Sequence, residues 1–136
     1  MTDADRTPAF EAGVQVRSEV MGADFVERAF DRARGTDSEE MQEFVTEHVW
    51  GSVWTRPGLD RRSRSLLNLG MLIALRAENE LRGHVRGALR NGLTRTEIVE
   101  AVIHAGAYCG APAGLAAMRV VQEVLEAELG PRPSQD

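Results

Sequence analysis

The sequence predicts an all-α protein, a compact bundle of about six to seven helices, and three observations carry that expectation. No stretch shows the apolar–polar alternation of a strand, and clusters of β-branched residues are few. Apolar residues recur instead at intervals of three and four, and the runs end at glycine, proline or capping residues. The last third is dense in small residues such as Ala105, Gly106, Gly110, Ala113, Gly114 and Ala117, which permit close helix approach.

Each element has its own local reason. Phe10, Ala12, Val14 and Val16 belong to a first helix that breaks at Met21-Gly22. Phe25, Val26, Ala29, Phe30 and Ala33 make the apolar face of a second, stopped by Gly35. Asp37 or Ser38 caps a third, with glutamates in its first turn. Along that third helix Met41, Phe44, Val45, His48 and Ser52 share one face. Pro57-Gly58 makes the following segment, Thr55 to Leu59, a turn.

Asp60 then caps a fourth helix that is apolar on every side from Leu66 to Leu75, the pattern of a central helix or of one that meets another subunit. A fifth carries Leu81, Val85, Ala88 and Leu89 as its apolar stripe and ends at Asn91-Gly92. Thr94 and Glu97 form a capping box for the sixth, which turns Ile98, Val99, Val102, Ala105 and Gly106 inward. After a break at Tyr108 to Ala111, Pro112 sits in the first turn of the last helix. Leu115, Met118, Val121, Val124, Leu125 and Leu129 are its expected buried side, and residues from about 131 to 136 read as a loose tail.

A chain of 136 residues suits one domain, 1–136, with its core over about 9–129. A hydrophobic share of 43% with 27% charged residues is a globular composition, so disorder is excluded. The net charge of −5 argues against nucleic acid or an anionic membrane as partner. A single cysteine, Cys109, allows no internal disulfide and fits a reducing, cytoplasmic compartment. The opening residues lack the basic-then-apolar pattern of a signal peptide. The longest apolar run is about half a membrane span and contains Asn68.

Chemistry concentrates at Glu80 and His84. Their spacing of four sets a carboxylate and an imidazole about 40° apart on one side of a helix, at the margin of its apolar stripe. Arg82, Arg86 and Arg90 project from the other side as a solvated face. An acid–base couple beside a core is a proton-transfer site; the bland alternative is a surface ion pair worth about 0.3–0.5 kcal/mol. His48 lies on the apolar face of its helix, where a satisfied core histidine is the competing explanation. Trp50, Trp54 and Arg56 follow it, two rings and a cation able to wall a pocket for a flat anion. Arg61, Arg62 and Arg64 crowd the start of a helix, where the dipole disfavours cations by about 0.3–1 kcal/mol each. Either carboxylates on a neighbouring segment offset that cost, or the cluster binds an anion. His104, four residues after Glu100, reads as a solvent-exposed pair, Cys109 has no redox partner, and three histidines on three helices make no metal-ligand motif.

Four stretches taken together resemble the carboxymuconolactone decarboxylase family. They are Trp50-Gly51-x-x-Trp54-Thr55-Arg56-Pro57-Gly58-Leu59, Arg64-Ser65-Leu66, Glu80-Leu81-Arg82-x-His84-x-Arg86, and Tyr108-Cys109-Gly110-x-Pro112-Ala113. The likeness is collinear from about Ala9 to Leu129. The wider alkyl-hydroperoxidase-D-like superfamily carries Cys-x-x-Cys-x-x-x-His on the fifth helix. Here His84 matches its histidine, while Ala77 and Glu80 occupy the cysteine positions, so no thiol peroxidase activity carries over. The resemblance implies an all-α subunit assembled as a trimer or hexamer, with active sites near subunit boundaries and neither a metal nor an organic cofactor. It implies cofactor-independent decarboxylation of 4-carboxymuconolactone, a small dianionic lactone, to β-ketoadipate enol-lactone and CO2 in protocatechuate catabolism. In that reaction His84 is the expected general acid, its ordinary pKa lying near operating pH. Glu80 orients it, Arg64 and Arg56 hold carboxylate, His48 is a second donor, and Trp54 lines the pocket. Two readings compete, a redox protein of the superfamily and a helical oligomer without catalysis.

Overall fold

A computed structural model describes residues 3–134, and its described residues contain seven α-helices and no strand. The tail expected over 131–136 reaches beyond them, Gln135 and Asp136 lying outside the described residues. No helix among them is long and apolar enough to cross a membrane. The chain forms two compact units, Met1–Asp60 and Arg61–Asp136.

In the first unit, α1 (Pro8–Met21) begins where the Thr7 hydroxyl accepts from the Phe10 amide at 3.0 Å, with proline in the first turn. It stops at Gly22, whose φ of 102° reverses the chain into α2 (Ala23–Ala33). A short α3 (Glu39–Phe44) then runs into a π-helix, Val45–Trp50. Ser38 stands at the cap position of α3 without a side-chain cap bond, while the Glu39 carboxylate reaches back to the Gly35 amide at 3.1 Å. Val16, Val20, Met21, Val26, Trp50 and Trp54 make the core of this unit.

Backbone meets backbone where α1 crosses the π-helix. A Cβ on Gly13 would overlap the Thr46 carbonyl oxygen, and one on Gly51 would overlap that of Ala9. Arg17 crosses the same contact, donating to Gln42 Oε1 at 2.9 Å and Thr46 Oγ1 at 3.2 Å, with its guanidinium over the Phe30 ring. Burial lowers the pKa of this arginine by desolvation.

Of the face traced along the third helix, Val45 packs against this core, but Met41, Phe44, His48 and Ser52 are exposed. Met41 and Phe44 are 62% and 56% exposed, and the His48 side chain is 53% exposed. Thr46, Trp50 and Trp54 are buried instead, four residues apart. Two physical causes meet. A π-turn inserts a residue and re-phases everything after it, and glycine backbones bring the Thr46 edge, not the Phe44 edge, against α1.

The second unit packs α4 (Arg61–Ala74), α5 (Glu78–Arg90), α6 (Arg95–Cys109) and α7 (Ala111–Leu129) around Leu69, Ile73, Leu81, Val85, Ile98, Val102 and Val121. Each of these fully buried side chains contributes roughly 1.5–3 kcal/mol of apolar burial. The capping box of α6 forms as the sequence implies: the Thr94 hydroxyl accepts from the Glu97 amide at 3.1 Å, and the Glu97 carboxylate accepts from the Thr94 amide at 3.0 Å. Gly110, with φ 100°, separates α6 from α7. Those two helices touch at Gly106 and Gly114, where an added Cβ would lie 3.1–3.3 Å from the opposing Cα.

That close approach changes the buried side of α7. Leu115 is 67% exposed and Leu129 is 51% exposed, whereas Ala113, Ala117, Val120, Val121, Val124 and Leu125 are buried. Backbone contact admits a flank of alanine and glycine, and Leu115 is too large to stand there. The fourth helix is likewise two-sided, with Ser65, Leu69 and Ile73 inside and Leu66, Leu67 and Met71 outside.

Candidate active site

The seam between α4 and α5 holds a short row of polar side chains. Arg76, with φ 58°, sits in the α4–α5 turn, a left-handed conformation costing a non-glycine residue about 1 kcal/mol or more. Arg61, Arg64, Ser65, Asn68 and Leu72 share one flank of α4 by helical spacing, and His84, Ala88 and Asn91 share one flank of α5. The Asn91 amide donates to the fully buried Ser65 Oγ at 2.8 Å and to the Arg61 carbonyl at 3.4 Å. Three residues along α4, Asn68 Nδ2 stands 3.5 Å from His84 Nδ1. His84 is half-buried, bracketed on its own helix by the buried Leu81, Val85 and Ala88. Arg64, one turn before Asn68, is half-buried too.

Glu80 is exposed, and among the described residues its carboxylate makes no hydrogen bond or ion pair. The amide of Asn68 therefore stands where the sequence placed the Glu80 carboxylate, in contact with the imidazole. Asn68 is the residue that helical spacing alone missed. Its signal was present, because it is the only strongly polar side chain between Ser65 and Leu75.

The basic cluster at the start of α4 divides. Arg62 pairs with Glu97, the carboxylate that also closes the capping box of α6, so this arginine follows the neighbouring-carboxylate explanation. Arg82, expected on the solvated face, pairs with Glu123 at 2.7 Å. Arg64 stands half-buried one helical turn before Asn68 on α4.

The remaining candidates belong to the first unit. His48 lies against the Phe44 ring, centroids 4.7 Å apart, with Nε2 3.6 Å from the Glu47 carboxylate. Trp54 is 6% exposed and stacks on Trp50, centroids 4.7 Å apart and planes 22° apart, within that unit's core. Arg56 is exposed in the turn before Pro57.

The second unit also carries an open concavity of about 820 Å³ between α4 and α6, walled by Leu66, Gly70, Ile103, His104 and Tyr108 among others. Leu66 and Gly70 lie on the flank of α4 opposite Asn68, so this concavity and the His84 seam are separate features. His104 is exposed as expected, with its ring tilted on Tyr108 at 5.0 Å.

Comparison with known proteins gives the chemistry a context. Residues 39–123 match the model of the carboxymuconolactone decarboxylase family. The chain is 38% identical over 135 residues to 4-carboxymuconolactone decarboxylase of Acinetobacter baylyi, covering 99% of this chain and 97% of that protein. It is 48% identical over 116 residues to nitrosuccinic acid decarboxylase of Metarhizium robertsii, covering 85% of this chain and 80% of that one.

Proposed function

Since the chain belongs to the carboxymuconolactone decarboxylase family, we propose that it is a carboxy-lyase acting on a small dicarboxylate that supplies its own electron sink. The substrate proposed first is 4-carboxymuconolactone. Breaking the bond from the ring carbon to its carboxylate releases CO2. The electron pair left behind moves through the ring alkene onto the lactone carbonyl oxygen, giving a dienolate. A proton then adds at the α-carbon, and β-ketoadipate enol-lactone results. Because the ring itself accepts the charge, the chemistry calls for no cofactor.

The protein's tasks are to hold a dianion, stabilise charge arriving on oxygen, and manage one proton. The observation that carries the reading is the half-buried imidazole of His84 beside Asn68, which follows Arg64 by one helical turn on α4. An imidazole in such a place donates to a developing oxyanion or transfers a proton near neutral pH. Arg64 suits the substrate's side-chain carboxylate, since holding the departing one would oppose its loss. Glu80 supports the protonated ring only by turning toward it.

The 48% identity to the Metarhizium protein favours a second substrate with the same logic. In nitrosuccinate the carbon losing CO2 bears a nitro group, which takes the electron pair as a nitronate before protonation. Both substrates carry a second carboxylate, so Arg64 serves either.

The test is CO2 release by purified protein supplied with each compound, with the lactone also followed by its ultraviolet absorbance. Turnover of the lactone supports the first reading, and turnover of nitrosuccinate alone moves the substrate to the second. No CO2 from either removes the carboxy-lyase proposal.

Self-assembly is part of the proposal. Leu67, Met71, Ile103, Tyr108 and Leu115 leave apolar surface exposed on three helices of one unit. A trimer or hexamer in sedimentation analysis is the expected outcome, and a monomer at micromolar concentration counts against it. The cytoplasm is the proposed compartment.

A further inference from the structure

We propose that Asn68 is a positioning residue for His84, its amide setting the ring's tautomer so that Nε2–H is the working edge. The inference rests on the carboxy-lyase reading, in which His84 faces the reacting molecule. Asn68 lies in an otherwise apolar run, half-buried, where a side-chain amide needs a partner to offset its desolvation. Its Nδ2 stands 3.5 Å from His84 Nδ1.

A neutral imidazole has one N–H and one lone pair. An amide that donates to Nδ1 requires the lone pair there, so the hydrogen resides on Nε2, at the far edge of the ring. That edge can give a hydrogen bond to an oxygen gaining negative charge, whether of a dienolate or of a nitronate. The opposite tautomer would offer such an oxygen a bare lone pair, which repels it. Carboxylates, the commonest partners of working histidines, hold Nδ1–H and leave Nε2 bare in the neutral ring. The choice of asparagine over aspartate at position 68 therefore decides the sign of the group presented to substrate.

Asn68→Asp tests this at constant shape, replacing a donor by an acceptor. Arg64, one turn before Asn68 on α4, and Glu80, one turn before His84 on α5, are unchanged in the variant. The readout is 15N NMR of the ring nitrogens in uniformly labelled full-length protein, at a pH where the imidazoles are neutral. His84→Gln identifies the His84 signals among the three histidines. The expected wild-type spectrum has hydrogen on Nε2, and Asn68→Asp moves it to Nδ1. CO2 release by the variant at the same pH falls about a hundredfold, the scale of losing one well-placed donor. Hydrogen on Nδ1 in the wild type overturns the proposal without any variant. So does an unchanged tautomer in Asn68→Asp whose helical circular dichroism matches wild type. Wild-type CO2 release is measured first, so failure of the carboxy-lyase reading registers separately from failure of the tautomer assignment.

Discussion

Gly13→Ala tests the contact on which the first unit is built. In an ordinary helix interior this change stabilises by about 0.8–1 kcal/mol, because alanine restricts the unfolded chain and favours the helix. Here the new methyl carbon would lie 2.9 Å from the Thr46 carbonyl carbon and 3.0 Å from the Gly51 nitrogen, and closer still to the Thr46 oxygen. Carbon atoms rest at about 3.5–4.0 Å, so α1 and the π-helix must part by roughly an ångström. All three obstructing atoms are backbone, and no rotamer change relieves them. Parting also stretches the bonds from Arg17 to Gln42 and Thr46, now 2.9 and 3.2 Å. Overpacking of this kind costs about 1–3 kcal/mol, and the weakened bonds of a buried charge add about 1 kcal/mol more. After the helix gain is subtracted, a net loss near 2 kcal/mol remains. Urea unfolding measures it: with a slope of about 2 kcal/mol per molar, the midpoint falls by about 1 M. Gly70→Ala is the comparison, since nothing lies within 4 Å of its added carbon. It is expected to raise stability by about 0.5–1 kcal/mol. An unchanged or higher midpoint for Gly13→Ala refutes the backbone-contact argument, and a loss at Gly70 places a partner against α4.

Three further outcomes follow from the second unit. His84→Ala lowers turnover by at least about a hundredfold with helical circular dichroism retained; a loss under tenfold shifts the chemistry toward His48. Arg64→Lys raises the apparent KM by about tenfold with kcat little changed, because an ammonium lacks the guanidinium's two-pronged carboxylate contact. Unchanged kinetics would free Arg64 from substrate holding. Thr94→Ala removes the hydroxyl that accepts from the Glu97 amide and costs about 1 kcal/mol in urea unfolding. The same stability as wild type would mean that Arg62 and Glu97 alone hold the start of α6.

Much of the fold was legible because its signals are local. Gly22 and Gly110 at breaks and the Thr94–Glu97 box each act within one turn of chain. The α5 stripe and the inner face of α6 follow from spacing alone. The site was legible in part. Spacing makes His84 a candidate, yet it also points to Glu80, on the same helix, as the partner of the imidazole, and Glu80 is exposed. Asn68 sits sixteen residues away in sequence and meets the ring only because α4 and α5 pack side by side.

The amino-acid order by itself determined the helices, their ends and the types of side chain available for chemistry, since these depend on propensity, capping and periodicity within a few residues. Tertiary structure alone decided which faces are covered. Gly13 and Gly51 let backbones touch and turned Thr46 and Trp50 inward while Phe44 stayed outside. Gly106 and Gly114 did the same for α7, leaving Leu115 exposed. Hydrophobicity ranks what would gain from burial, but the distance of closest approach between two helices sets what fits, and that distance belongs to the pair.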